Sequence, residues 1–163
     1  MMLALALASW TAFAPPSGLA ADASKEIREL LTRWENAFRA RNVVDVMLCY
    51  AAGDVLLVFD IAPPFAGIGR NAYRRNHERF FGIFEGALET ELRDLNIVAN
   101  DGVGFATFLE RVSGVLDGGE KTERWCRVTC GLRKIDDRWL IVHEHVSVPV
   151  DFVSGRALLN SKP

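Results

Sequence analysis

A chain of 163 residues is long enough for one domain and short for two. Half of its residues are hydrophobic and a quarter are charged, which excludes an intrinsically disordered protein. With 19 Lys and Arg against 21 Asp and Glu, the net charge of −2 provides no basic field for nucleic acid or an anionic membrane surface.

The chain holds 3 cysteines, too few to close a disulfide framework. Cys126 and Cys130 fall in one strand-like run. They are about 13 Å apart at roughly 3.3 Å per residue, too far to bridge. The first ionisable side chain is Asp22, so segment 1–21 carries none. It is largely apolar to Ala14, is broken by Pro15-Pro16, and ends in small residues at Gly18-Leu19-Ala20. Such a segment resembles a secretory signal peptide lacking a basic start, with a disordered tail as the other reading. It is too short to cross a membrane. As a signal it implies a periplasmic or secreted protein; as a tail, a cytoplasmic one. The folded domain is expected over 22–152, with a tail at 153–163.

The pattern predicts an amphipathic helix over 24–41, with Ile27, Leu30, Leu31, Trp34 and Phe38 at helical spacing. Asn42 with Asp45 suggests a cap and a short second helix through Tyr50, stopped at Gly53. Residues 54–61 read as a strand ended by Pro63-Pro64. A third helix is expected over 69–84. Four long strand-like runs follow, at 88–98, 103–116, 122–134 and 139–148, separated by hairpin signals such as Asn100-Asp101-Gly102. Helices first and an antiparallel meander last is the α+β pattern.

This order of elements resembles the nuclear transport factor 2-like superfamily over about 24–148, including its steroid delta-isomerase-like and SnoaL-like branches. The run from Arg111 to Asp117 and the ending from Trp139 to Pro149 resemble the association domain of calcium/calmodulin-dependent protein kinase II. The resemblance implies a SnoaL-like domain with a cone-shaped curved sheet, N-terminal helices over its concave face, an apolar cavity between them, and a convex face that makes a dimer. Such folds host isomerases, cyclases, dehydratases, hydrolases and non-catalytic assembly domains. Two functions therefore stand: a small-molecule-binding domain that is a cofactor-free acid/base enzyme on a mostly apolar oxygenated substrate, or a non-catalytic ligand-binding or oligomerisation domain.

Asp60 ends the apolar run Val55 to Phe59 and matches the base of the isomerase branch. At a cavity mouth its carboxylate would suit proton abstraction; alternatively it closes the proline turn. The isomerase's polar pair is missing, since Trp34 stands at the tyrosine position and Val128-Thr129-Cys130 offers no acid, which argues against steroid isomerisation. Alternation groups Phe105, Thr107, Leu109, Arg111 and Ser113 on one strand face. The association-domain resemblance implies that Arg111 faces the cavity as a carboxylate-binding fork; the other reading pairs it with Glu144 or Glu110. The same resemblance makes Tyr73 and Phe81 cavity-lining, and replaces two further cavity arginines by Cys130 and Val146.

On the last strand the resemblance sets Leu140, Val142, Glu144 and Val146 toward the cavity, leaving Glu144 as the lone acid in an aliphatic row. His143 and His145 then face outward with Trp125 and Arg127, at an expected dimer interface. Two histidines pointing one way also suggest metal binding, but no third ligand has a fitting spacing, so no metal is expected. Tyr50 and Trp34 are expected to line the cavity with Phe38, Phe59, Phe65 and Phe80, and His77 to sit at a solvated helix edge. Asp60 and Glu144 are thus the candidate catalytic acids, Tyr50, Tyr73 and Arg111 the candidate oxygen-binding groups, and a homodimer or higher even oligomer the expected assembly.

Overall fold

The computed structural model describes residues 17–163. Residues 1–16, and with them most of the expected signal peptide or tail, lie outside the described residues. Three helices, α1 (Ser17–Arg39), α2 (Val43–Met47) and α3 (Arg70–Gly82), accompany six strands. The strands are β1 (Leu57–Phe59), β2 (Gly67–Ile68), β3 (Phe84–Ala99), β4 (Val103–Leu116), β5 (Lys121–Ile135) and β6 (Arg138–Ser147). They form one sheet in the order β2-β1-β6-β5-β4-β3. The meander is antiparallel throughout, while β1 returns parallel to β6.

The expected first helix ends two residues early, for a local reason. Arg41 adopts φ +54°, and the Arg41 and Asn42 amides donate to the Phe38 and Ala37 carbonyls. That double closure is a Schellman motif with arginine in the left-handed position. The Arg41 guanidinium then reaches the Phe81 and Gly86 carbonyls at 2.7 and 2.9 Å, fastening the corner to the end of α3. Asn42 goes on to cap α2, its side chain accepting from the Asp45 amide at 3.2 Å. Residues 54–61 do not form one strand: Gly53–Val55 is a 3-10 turn, so β1 keeps only three residues.

One face of the sheet is covered by α1 and α3, and the core lies between. Ile27, Leu30, Leu31, Trp34 and Phe38 of α1 are all buried there, each aliphatic side chain contributing about 1.5–3 kcal/mol. The sheet supplies Ala106 and Phe108 from β4, Val128, Cys130 and Leu132 from β5, and Ile141 from β6. Irregularities in β3 on either side of its central register, between Glu85 and Glu89 and between Arg93 and Asn96, bend the sheet around this core. The C-terminal segment folds back rather than trailing away: Val150 bridges Ala157, and Lys162 Nζ lies 2.5 Å from Glu123.

Candidate functional site

Tyr50 reaches the core because the chain after α2 joins the sheet edge. The Ala51 amide donates to the Ile141 carbonyl and the Ile141 amide to the Cys49 carbonyl, both at 2.9 Å. This parallel bridge turns the Tyr50 side chain inward, where it is wholly buried. Tyr73 comes from the buried stripe of α3, one helical turn before His77.

Both phenols converge on Glu144. Tyr50 Oη donates to Glu144 Oε2 at 2.8 Å, and Tyr73 Oη donates to Oε1. The Cys130 thiol lies against Oε2 at 3.8 Å, and Trp34 Nε1 donates to Tyr50 Oη at 2.9 Å. An indole nitrogen only donates, so the Tyr50 oxygen accepts from Trp34 and its proton points to Glu144. Three donors on two oxygens hold Glu144 as an acceptor, the role of a carboxylate. Burial nonetheless raises its pKa above the usual range, against the lowering effect of the two tyrosine hydrogen bonds. Burial, then the charge of Glu144, also pushes both phenols well above their ordinary value.

Glu110 is the second buried acid. It lies on the inner face of β4 with 8% exposure and accepts no hydrogen bond among the described residues. Burial, reinforced by the charges of Glu144 and Asp60, raises its pKa to about 8. Glu110 is therefore mostly the neutral acid at neutral pH; burial raises Glu144 as well, while its three donors favour its charged form. Asp60 follows β1 at the partly exposed rim, and its carboxylate approaches the Ala62 amide at 3.5 Å, so the expected turn contact is present. Its charge also raises the proton affinity of Tyr73, Glu110 and Glu144. His77 is buried rather than solvated, a correction: Nδ1 faces the Tyr73 carbonyl at 3.2 Å, and burial lowers its pKa to about 4. It is a neutral imidazole.

The structure thus brings together Trp34, Tyr50, Tyr73 and Glu144, with Phe81 packed behind them against Phe38 and His77, while Asp60 acts on Tyr73 and Glu144 through its charge without a hydrogen bond to either. Three expected lining residues stand elsewhere. Arg111 lies on the outer face, its guanidinium 3.0 Å from Glu91, 3.4 Å from Glu123 and 3.9 Å from Glu89. The alternation was sound, but Ala106, Phe108 and Glu110 form the inward row. Three cross-strand acids give the arginine a solvated home on the other side. Phe59 faces outward as well, because Val58 takes the inward position of the short β1. Its ring meets His143 at 5.1 Å and His145 at 5.8 Å. Phe65 is fully exposed in the loop before β2, again outside the interior.

On β6 the outcome divides at Val142. Gly131 pairs with His143 and Leu132 with Ile141, so Val142 is an extra residue, a β-bulge. Beyond it Glu144 faces inward and His143 and His145 outward, as expected. Before it Trp139 and Ile141 face inward, opposite to the expectation, and both are buried. Trp125 and Arg127 share the outer face with the histidines, Trp125 beneath the Arg93 guanidinium at 4.4 Å. His143 Nδ1 is 2.9 Å from the Leu57 carbonyl. Among the described residues no three ligating side chains converge to hold a metal ion.

Glu110 is the functional group that sequence reasoning underrated, entering only as a partner for Arg111. Its signal is the apolar row Ala106, Phe108, Val112 on its own face. A surface cleft of about 740 Å³ also exists, lined by Leu30, Arg33, Asp45, Cys49, Arg138 and Trp139 among others. Asp60, Glu110 and Glu144 do not line it. The convergence of perturbed groups, not the size of the hollow, marks the site.

The model of the SnoaL-like domain matches residues 27–151. No curated protein matches the chain. Among solved structures, a nuclear transport factor 2-like protein of unknown function from Pseudomonas putida is 31% identical, with a TM-score of 0.79 over 90% of this chain and 100% of that one. A candidate calcium/calmodulin-dependent protein kinase II association domain from Xanthomonas campestris is 18% identical, with a TM-score of 0.67 over 77% and 88% of the two chains. A candidate dehydratase of the same fold from Streptomyces avermitilis is 12% identical, with a TM-score of 0.71 over 81% and 99%. The last two share the fold.

Proposed function

The chain belongs to the SnoaL-like domain family, and from that premise we propose that it binds a small molecule in its interior and performs acid/base chemistry there with its own side chains. The observation that carries this reading is the pairing of unlike acids. Glu144 is held as an acceptor by Tyr50 and Tyr73, while Glu110 keeps its proton and Asp60 stands at the partly exposed rim. A buried acid that holds its proton near neutral pH, close to a partly exposed carboxylate, is what general acid/base chemistry requires.

The step follows from these roles. Asp60 removes a proton from carbon next to a substrate carbonyl, and the electron pair of that C–H bond moves toward the carbonyl oxygen. Glu110 supplies a hydrogen bond or its proton to that oxygen. Return of the proton to another carbon completes an isomerisation. Expulsion of a β-hydroxyl, protonated by Glu110 and leaving as water, completes a dehydration. Glu144, hydrogen-bonded by both phenols, orients Tyr73.

The test is α-proton exchange for deuterium, followed by NMR across a panel of small cyclic and aromatic ketones. Acceleration by the wild type that falls at least about tenfold in Asp60→Asn and Glu110→Gln supports the reading. No acceleration with any ketone overturns it.

The outer face supports a homodimer as the assembly. Phe59, Trp125, Arg127, His143 and His145 form a mixed apolar and polar surface on it. Export to the periplasm rests on segment 1–21 alone; fractionation of cells expressing the chain tests it, and intact cytoplasmic protein would exclude it.

A further inference from the structure

We propose that the ligand of this interior carries a protonated amine. This deepens the reading above and rests on the interior being the ligand site. Glu144 is a buried acid, 4% exposed, whose two oxygens accept from Tyr50 and Tyr73, contacts that favour its charged form. Among the described residues no lysine or arginine forms a salt bridge with it, with Glu110 or with Asp60. A buried anion without a counter-cation is costly, and its neutral donors offset only part of that cost.

The surroundings sharpen the sign. Glu110 is more than nine-tenths buried and has no hydrogen-bond partner among the described residues, so an acceptor on the inner face stands unused. Tyr73 is hydrogen-bonded to Glu144, and the nearby charge of Asp60 acts on the same hydroxyl. The walls are aromatic: Tyr50 and Tyr73 meet edge to face at 5.2 Å, and Trp34 stacks on Phe38 at 4.9 Å. Aromatic faces attract cations and tolerate an apolar body beside them. The three acids do not converge as metal ligands, so a metal ion is the wrong cation. An ammonium group with several N–H donors on a small apolar frame answers each feature. Arg111, the group that would favour a carboxylate, is on the other side of the sheet.

The experiment compares three probes of one shape by titration calorimetry at neutral pH: benzylamine, benzyl alcohol and benzoate. The expected order is benzylamine about tenfold or more tighter than benzyl alcohol, with benzoate weakest. In Glu144→Gln the amine preference collapses while the alcohol still binds. Since that variant can fail to fold, Asp60→Asn at the rim serves as the second test, lowering amine affinity and sparing the alcohol. Alcohol or benzoate binding as tightly as the amine overturns the amine proposal and leaves the interior as the ligand site. Binding by none of the three overturns both.

Discussion

Trp34 donates its indole N–H to the Tyr50 hydroxyl oxygen at 2.9 Å, and by occupying that oxygen it sends the phenolic proton toward Glu144. A residue of α1 thereby sets the direction of a hydrogen bond made on β6, 110 positions away, through an intermediate that belongs to neither element. Tyr50→Phe removes the relay at its centre, leaving the indole N–H without its acceptor and Glu144 without one donor. Such a loss costs about 2 kcal/mol or more in a buried site. Trp34→Phe removes the first donor and no donor to Glu144, so its effect on the acid is the smaller one. Urea denaturation of the two variants checks the order; a Tyr50→Phe protein as stable as wild type would contradict it.

Stability should depend on pH with opposite slopes from two buried groups. Glu110 titrates near 8 in the folded chain against an ordinary 4.5, so the folded state holds the extra proton between those values. Its contribution is therefore complete at low pH and declines as pH rises through 4.5 to 8, by an amount on the order of a few kcal/mol. His77 titrates near 4 in the folded state against an ordinary 6.5, so its contribution is lost as pH falls from 6.5 to 4. Thermal melts across pH 4–9 should show Glu110→Gln flattening the alkaline limb and His77→Phe flattening the acid limb. A Glu110→Gln profile parallel to wild type above pH 5 would remove the assignment.

Arg111→Leu should leave the interior untouched. Its ion pairs are with outer-face glutamates, and such solvated pairs contribute about 1 kcal/mol or less. The variant is expected to fold with a small loss of stability, reduced further by salt in the wild type. Benzylamine affinity should be unchanged. A lost or strongly altered affinity would mean that the arginine reaches the site after all.

Assembly is testable on the same outer face. Light scattering should report twice the 18.1 kDa of one chain. Trp125→Glu combined with His145→Glu sets like charges across a two-fold contact and should yield monomer with the fold retained. A wild-type monomer at micromolar concentration would exclude the dimer.

The architecture was largely legible in the sequence because its elements carry strong local signals. Val103–Leu116 was delimited to the residue, since Asn100-Asp101-Gly102 and Asp117-Gly118-Gly119 punctuate it. The helical stripe of α1 predicted the buried set Ile27, Leu30, Leu31, Trp34 and Phe38. The face of each strand was harder, because alternation gives two rows without saying which is inside. Arg111 and Glu110 are consecutive, so choosing the arginine for the interior excluded the glutamate. Tyr50 and Glu144 were both singled out, yet their hydrogen bond was not. That contact depends on the parallel bridge from Cys49 and Ala51 to Ile141, a pairing between segments about 90 residues apart that no local pattern encodes.

The extra residue at Val142 has a consequence for how this strand is compared with others. Ile141 and Glu144 both point inward although three positions separate them, so the strand is measured in ladder rungs and not in amino acids. Deleting Val142 restores plain alternation through Ile141, His143 and Glu144 and leaves the glutamate facing the two tyrosines. A homologue lacking this residue therefore aligns correctly only with a single-position gap at 142. Closing that gap would match the glutamate to a histidine and assign the acid to the wrong side of the sheet.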